Sequence, residues 1–395
     1  MKRQQYRVLI VILLILAIVA AGVLLSDTNG RWFRKGSKGS LASVQQVTGD
    51  VSVLRDGMAY VLKKDIGLRQ DDALVTGADA YCQASVVSEA LVSIDGGSQI
   101  EMETLTPDGA AVRVTEGAAV FEAAEGVTEP KLQILADGVH IAMAEKTVMS
   151  VEAYHGTVTV SVFDGMPSMN CGERAYTLVP GDRVVVLNGE DAQTVSFNRI
   201  MSSDLREFLL NRLIEKGGLL FEPEQLQAVL DKRRAETETI AVPSDTEGLT
   251  CTLEIRCDAV LDHLDELDPE KAKAIPESGI VLPATRVSFT SGDSAYDILR
   301  RTCLSNGIEI SYDYAINLSG YYIENLAGLA ERECGPQSGW MYKVNGWFPN
   351  YGSSRYQVCD GDVIVWSYSC VGLGEDIGVE PWQSADKNEI TTETK

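Results

Sequence analysis

The spacing of apolar and polar residues divides the chain into stretches of different texture. Val8–Leu25 (VLIVILLILAIVAAGVLL) is apolar without a break. From Ala42 to about residue 198 apolar and polar positions alternate, as in Val51-Ser52-Val53-Leu54, Ala84-Ser85-Val86-Val87, Thr157-Val158-Thr159-Val160 and Arg183-Val184-Val185-Val186. Alternation sends successive side chains to opposite faces, so these runs predict short strands. Turn signals separate them: Arg55-Asp56-Gly57, Asp95-Gly96-Gly97, Asp137-Gly138, Asp164-Gly165 and Pro180-Gly181-Asp182. Over residues 199–249 the period becomes helical. Ser203 can cap a segment with Leu205, Phe208, Leu209 and Leu213 on one face, stopped by Gly217-Gly218. Pro223 suits a second first turn, Leu226, Val229 and Leu230 form its stripe, and Lys232, Arg233 and Arg234 suit its C-terminal end. Residues 235–249 then read as a polar linker.

Residues 250–371 mix both periods. Cys251–Cys257 (CTLEIRC) alternates as a strand. Ser291-Gly292-Asp293-Ser294 precedes a helix with Ala295, Ile298, Leu299 and Cys303 on its apolar face, ended by Asn306-Gly307. Within GWMYKVNGWFPNYG, Asn345-Gly346 signals a hairpin, because a type I′ turn needs positive φ at both central positions. Asp360-Gly361-Asp362 turns into the alternating strand Val363–Tyr368. Residues 372–395 form an acidic tail without apolar periodicity, the texture of a disordered segment.

The first apolar run is the most decisive feature. At a rise of about 1.5 Å per residue it spans roughly 27 Å, close to the hydrocarbon thickness of a bilayer. Lys2, Arg3 and Arg7 precede it, and it ends in Val23-Leu24-Leu25-Ser26, a poor cleavage site, so it reads first as an uncleaved anchor and second as a cleaved signal. The predicted organisation is a cytoplasmic stub and transmembrane helix (1–25), a juxtamembrane spacer (26–41), a β domain (42–198), a helical segment and linker (199–249), a small α+β module (250–371) and a tail (372–395). Arg31, Arg34, Lys35 and Lys38 follow the run, so flanking charge does not set its direction. Cysteine does. Six of the eight cysteines, Cys251, Cys257, Cys303, Cys334, Cys359 and Cys370, fall in 250–371, none forms a CxxC pair, and the chain has three histidines. Zinc ligation fits poorly. Disulfides in an oxidising compartment fit better, with their pairing left open. The body is therefore expected outside the cytoplasm, at the cell membrane on a single span. A net charge of -23 over 395 residues argues against nucleic acid as a partner, because phosphate binding draws on an excess of Lys and Arg.

A weak internal repeat runs through the β region. Gly49-Asp50-Val51-Ser52-Val53 leads to Leu68-Arg69-Gln70-Asp71-Asp72-Ala73-Leu74-Val75. Gly156-Thr157-Val158-Thr159-Val160 leads likewise to Leu178-Val179-Pro180-Gly181-Asp182-Arg183-Val184. Each is a strand, a surface loop and a tight turn that opens another strand. With Thr76-Gly77 and Ser93-Ile94-Asp95-Gly96, these residues resemble the FecR-like extracytoplasmic domain, departing at Gln70, where that family usually has Gly. The resemblance implies an interaction scaffold and no catalytic site. Ser291–Ser294, Gly339–Gly346, Asp360–Val363, Trp366 and Tyr368 resemble the transcobalamin-like C-terminal domain family over most of residues 250–371. That implies a module of β-grasp character. In the family's cobalamin carriers the domain closes over a corrin held by a large α-helical barrel, which this chain lacks. Ser353 stands where the family often carries Cys, with Cys359 close by.

Candidate chemistry is sparse. G-x-S-x-G, H-E-x-x-H, P-loop and EF-hand strings are absent from the sequence, Ser384-x-x-Lys387 sits in the tail, and no cofactor or metal is called for. Asn317-Leu318-Ser319 fits a glycosylation acceptor, relevant only to a eukaryotic secretory pathway. Trp340, Tyr342, Trp347, Phe348, Tyr351, Trp366 and Tyr368 crowd the last module. Alternation assigns Trp340 and Tyr342 to one strand face and Trp366 and Tyr368 to another, where they close a small core. Trp347, Phe348 and Tyr351 are expected exposed near the hairpin tip, as contact residues for a glycan, a peptide or a ring-bearing small molecule. The expected function is a non-catalytic, membrane-anchored binding or envelope-organising protein. The alternatives are a FecR-like sensor acting with a second membrane partner, and cobalamin or related small-ligand binding by the module.

Overall fold

The computed structural model describes residues 41–380 apart from 88–89, 125, 155, 189–192, 243–247, 316–319, 350 and 373. The predicted anchor, the spacer up to Ser40, the Asn317 acceptor site and the tail from residue 381 lie outside the described residues. Among the described residues, no helix is long and apolar enough to cross a membrane. The chain is mainly β with few helices, and it divides into two compact units. Of the described residues, one holds 41–153 together with Val158–Pro180, and the other holds Tyr154–Thr157 and residues 181–380.

The first unit is built from mostly short, mostly antiparallel strands: β1 (Ala42–Thr48), β2 (Val51–Arg55), β3 (Met58–Val61), β4 (Ala73–Thr76), β5 (Tyr81–Val86), β6 (Ala90–Ile94), β7 (Gln99–Thr106), β8 (Gly109–Ala123), β9 (Leu132–Ala136), β10 (Val139–Ala142), β11 (Val148–Tyr154), β12 (Thr157–Asp164), β13 (Ser168–Cys171) and β14 (Arg174–Thr177). The long strand β8 organises them. Its first half pairs with β7 and, in parallel, with β9; its second half pairs with β6 and β11. The changeover falls at Gly117, whose φ is +92° and where a Cβ would lie 2.3 Å from Ser98 Oγ. Only glycine lets the two backbones approach this closely. Ser98 Oγ then accepts the Ala118 amide at 3.0 Å. Beyond this pivot Ala118–Phe121 are buried on both faces, which suits a run of alanine and valine with one phenylalanine.

The internal repeat acquires a physical meaning here. Gly49 and Gly156 both have positive φ and stand just ahead of β2 and β12. In the tight turns, Asp71 (φ 66°) occupies the left-handed position that Gly181 (φ 93°) fills in the second copy. The departure from the glycine pattern therefore lies at Asp71 and not at Gln70. Aspartate tolerates this conformation better than most residues because its short side chain bonds locally. The following aspartates, Asp72 and Asp182, are both fully buried. Asp72 pairs with Arg55, and in the second unit Asp182 pairs with Arg199 at 3.2 Å.

The second unit begins with the hairpin β15 (Asp182–Asn188) and β16 (Gln193–Arg199). Helix α1 (Glu207–Lys216) follows a short turn at Ser202–Asp204 and ends at Gly217. Helix α2 (Pro223–Ile240) starts with proline in its first turn and a reciprocal Glu222–Gln225 cap. It runs into the stretch expected to be linker. The added turns are held by tertiary contacts: Glu236 pairs with Lys343, and the Val242 amide donates to Thr252 Oγ1 at 2.9 Å.

The module proper carries a four-stranded sheet, β18-β17-β23-β22, formed by β17 (Thr250–Arg256), β18 (Ile280–Ser288), β22 (Gly339–Val344) and β23 (Val363–Ser369). Its central pair, β17 and β23, is parallel, and the outer pairs are antiparallel. A second sheet joins β19 (Ile310–Ala315), β20 (Gly320–Leu326) and the short β21 (Leu329–Ala330). Two further helices are α3 (Pro269–Ala274) and α4 (Ala295–Asn306). The latter is capped by Ser294 with Asp297 and closed by Gly307 in the left-handed conformation. The strand register places Trp340, Tyr342, Trp366 and Tyr368 on one core face with Leu253, Ile255 and Ile364. Trp340 meets Tyr368 edge-on and Tyr342 stacks on Trp366, each at 5.4 Å. Each such pair adds about 0.5–1.5 kcal/mol beyond area burial.

The opposite face of β17 carries Glu254, buried, with Arg256 3.7 Å from its Oε2. Burial raises its pKa above the ordinary carboxylate value, and Arg256 only partly opposes this. As pH rises, the unfolded chain releases this proton before the folded chain does. Stability is therefore lost from the unfolded pKa upward until the folded pKa is passed. Glu254→Gln is expected to exceed the parent in urea midpoint at neutral pH and to match it below the carboxylate range. An equal midpoint at both pH values would show that Glu254 is not strained by burial.

Candidate functional site

The Asn345-Gly346 turn forms as predicted. Asn345 (φ 50°) and Gly346 (φ 75°) both lie in the left-handed region, and Val344 and Trp347 exchange backbone bonds of 2.8 and 2.9 Å. Asn345 fastens the turn to β23, donating to Asp362 Oδ1 at 2.7 Å and accepting the Val363 amide at 2.9 Å.

The tip does not face solvent. Trp347 is 7% and Tyr351 8% exposed, which corrects the expected exposure of both; Phe348 is half-buried beneath the Lys343 ammonium at 5.6 Å. The cover is the helical segment ahead of the module. Three consecutive carbonyls of the Ser202–Asp204 turn and its cap are gripped from two sides. Arg233 of α2 donates to Ser203 O at 2.6 Å and Leu205 O at 2.7 Å, and the Trp347 indole donates to Asp204 O at 3.1 Å. The Arg206 guanidinium lies 5.3 Å from the Trp347 ring, and Tyr351 stacks on Tyr154 at 4.4 Å. Gly346 is required for the fit, since a Cβ there would stand 3.0 Å from Arg233 Cβ. Burial pushes the Arg233 pKa down to about 10, while the carboxylates of Glu207, Asp204 and Glu236 oppose the shift. The side chain thus stays charged at neutral pH. The arrangement is a dock between elements, and its aromatic content is used for packing.

A second aromatic group lies elsewhere in the unit. Tyr296 of α4 stacks on Tyr321 of β20 at 4.5 Å, and Tyr312 of β19 stands edge-on to both at 5.0 and 5.4 Å. The strand register makes Tyr312 and Tyr321 diagonal neighbours, because Tyr312 faces Ile323 across the pair. Tyr296 is buried, Tyr312 half-buried and Tyr321 38% exposed, so the cluster grades from core to solvent. The Arg300 guanidinium, one turn along α4, donates to the Tyr312 hydroxyl at 3.3 Å. Bonds from Tyr296 and Arg300 lower the Tyr312 pKa, while burial, first, and the Tyr312 hydroxyl raise that of Tyr296. An aromatic face beside an exposed cation can stack on a ring and bind an anionic substituent. The sequence reading did not bring these residues together. The available signal was the alternation around Tyr312 and Tyr321, but it gives no link to Tyr296.

Two further concavities among the described residues are open to solvent. One of about 440 Å³ is lined by Gln133, His140 and Asn170 among others, and one of about 310 Å³ by Arg286, Arg301, Ser305 and Asn306 among others. Among the described residues, no three His, Cys, Asp or Glu side chains group as metal ligands. Burial raises the thiol of Cys257 to about 11 and those of Cys251 and Cys303 to about 12.

Residues 292–370 match the profile of a family described as a domain of unknown function, DUF4430. This stretch lies inside the one that resembles the transcobalamin-like C-terminal domain. No curated protein matches the chain. Among solved structures, the chain is similar to a protein assigned to the anti-sigma factors of Parabacteroides distasonis, with 15% identity, a TM-score of 0.32 and coverage of 61% of this chain and 94% of that one. It is also similar to haptocorrin in complex with Cbi, with 13% identity, a TM-score of 0.23 and coverage of 32% of this chain and 26% of that one. Likenesses of this size carry no information about ligands or partners.

Proposed function

We propose that the chain is a membrane-tethered, non-catalytic binding protein of the extracytoplasmic face. In this reading Val8–Leu25 is the tether, the FecR-like β unit is a scaffold, and the C-terminal module carries the contact surface. The strand order β18-β17-β23-β22, with a parallel central pair and α4 following its outer hairpin, supports the β-grasp character of that module. The observation that carries the function is the graded tyrosine cluster with Arg300 at its rim. It suits an anionic, ring-bearing ligand such as an acidic polysaccharide: sugar rings stack on the tyrosine faces and a carboxylate meets the guanidinium.

The test is binding of uronic-acid polymers and neutral glucans to the full chain in lipid nanodiscs. Arg300→Ala and Tyr321→Ala are each expected to weaken binding of the charged polymer about tenfold, since a charge-assisted contact contributes about 1.5 kcal/mol or more. Binding should also fall as salt rises. Equal affinity of parent and both variants, or no preference for charged over neutral polymers, would exclude this surface.

A further inference from the structure

Cys334 and Cys370 lie 1% and 8% exposed within one core cluster of the module. The segments that carry them are fastened together independently of sulfur. Tyr368, two residues before Cys370, donates through its hydroxyl to Ala330 O at 2.7 Å, accepts the Glu333 amide at 3.3 Å and lies 3.0 Å from Ser338 Oγ. Ser338 Oγ in turn accepts the Cys334 amide at 3.0 Å. On the other side, Asp376 accepts the Cys370 amide at 2.7 Å. Both backbones are thus positioned by hydrogen bonds that do not depend on a bridge. Cys257, in the same core cluster, is the competing partner.

We propose that Cys334 and Cys370 form a disulfide that closes the β21–β22 segment onto the end of β23. The oxidant is a low-molecular-weight disulfide of the oxidised glutathione class. One cysteine thiolate attacks a sulfur of the oxidant, forming a mixed disulfide and releasing one glutathione thiolate. The second cysteine thiolate displaces the second glutathione. One S–S bond forms in the protein and one breaks in the oxidant. Two electrons pass to the oxidant, and the two thiol protons end on two glutathione molecules. Burial raises both thiols, so thiolate is scarce once the module is packed. The bond therefore forms before the core closes and then resists external reductant.

The extracytoplasmic reading supplies the oxidant in cells, but the linkage itself is tested in vitro. The reduced, urea-unfolded full chain is refolded in a glutathione redox buffer, alkylated and peptide-mapped. The expected product is a Cys334–Cys370 linkage retained in Cys257→Ser and lost in Cys334→Ser and Cys370→Ser. Once formed, it should survive dithiothreitol under native conditions and open when urea is added. A Cys257–Cys334 linkage, or thiols throughout a correctly refolded chain, overturns the proposal. Chain alkylated during lysis of its own host separates the two ideas. A bridge that forms in vitro but is absent in cells removes the oxidising compartment and leaves the pair intact.

Discussion

Trp347→Ala is expected to lower the stability of the second unit by about 3–5 kcal/mol, the usual cost of emptying a buried aromatic site. The indole is enclosed by the helical segment and the hairpin, and its loss also leaves Asp204 O without its indole donor. The contact with Arg206 disappears as well. Trp347→Phe should restore most of the volume but not the N–H bond, leaving a deficit of about 1–2 kcal/mol. Urea unfolding of both variants measures this, and the folded fraction of Trp347→Ala should bind ligand like the parent. A change below about 1 kcal/mol in the alanine variant would mean that the tip is open, and would restore it as a contact surface.

Asp72→Ala is expected to cost the first unit about 3–5 kcal/mol, because it strands a buried guanidinium. Arg55 donates to Asp72 through Nε at 2.7 Å and Nη2 at 2.5 Å, with a third bond to Gly67 O at 3.1 Å. Asp72 is 1% exposed and also accepts the Arg69 amide at 2.7 Å. The carboxylate bond raises the Arg55 pKa further above its already high value, so the cation persists at every accessible pH. The double variant Arg55→Met, Asp72→Leu should recover much of the loss, since a buried pair is often replaceable by apolar residues of similar size. The check is the urea midpoint of single and double variants. If Asp72→Ala alone shifts stability by less than about 1 kcal/mol, the pair does not hold the turn.

Local chemistry made much of the fold readable. The alternating runs became strands, and positive φ appeared at Asn345 and Gly346, where the turn type demands it. Ser294 caps α4 as its position suggested, and Pro223 opens α2. The readings that differed depended on partners distant in sequence. Residues 235–240 look like linker in isolation and are helical because Glu236 meets Lys343. Trp347 and Tyr351 look exposed because nothing near them in sequence covers them; Asp204 and Arg206 cover Trp347, and Tyr154 stacks on Tyr351. The tyrosine cluster draws on one helix and two strands, so no single window contains it. The turn at Asp71 shows the same limit in reverse. The glycine pattern points to Gln70, whereas backbone geometry places the special position one residue later.

The parallel pairing of β17 with β23 also governs the order in which the module can assemble. Thr250 donates through its amide to Asp360 Oδ1 across 110 residues, and β17 gains its second neighbour only when β23 has been made. At about 5–20 residues per second of synthesis, β17 waits roughly 5–20 seconds with one sheet edge unsatisfied. Leu253 and Ile255 lack their β23 neighbours for the same interval. Such non-local closure is slow and leaves an edge that can pair with another nascent chain. The first unit completes its own strands well before that moment. A holdase acting late in synthesis, on residues 250–362, would therefore improve the yield of folded module more than one acting early.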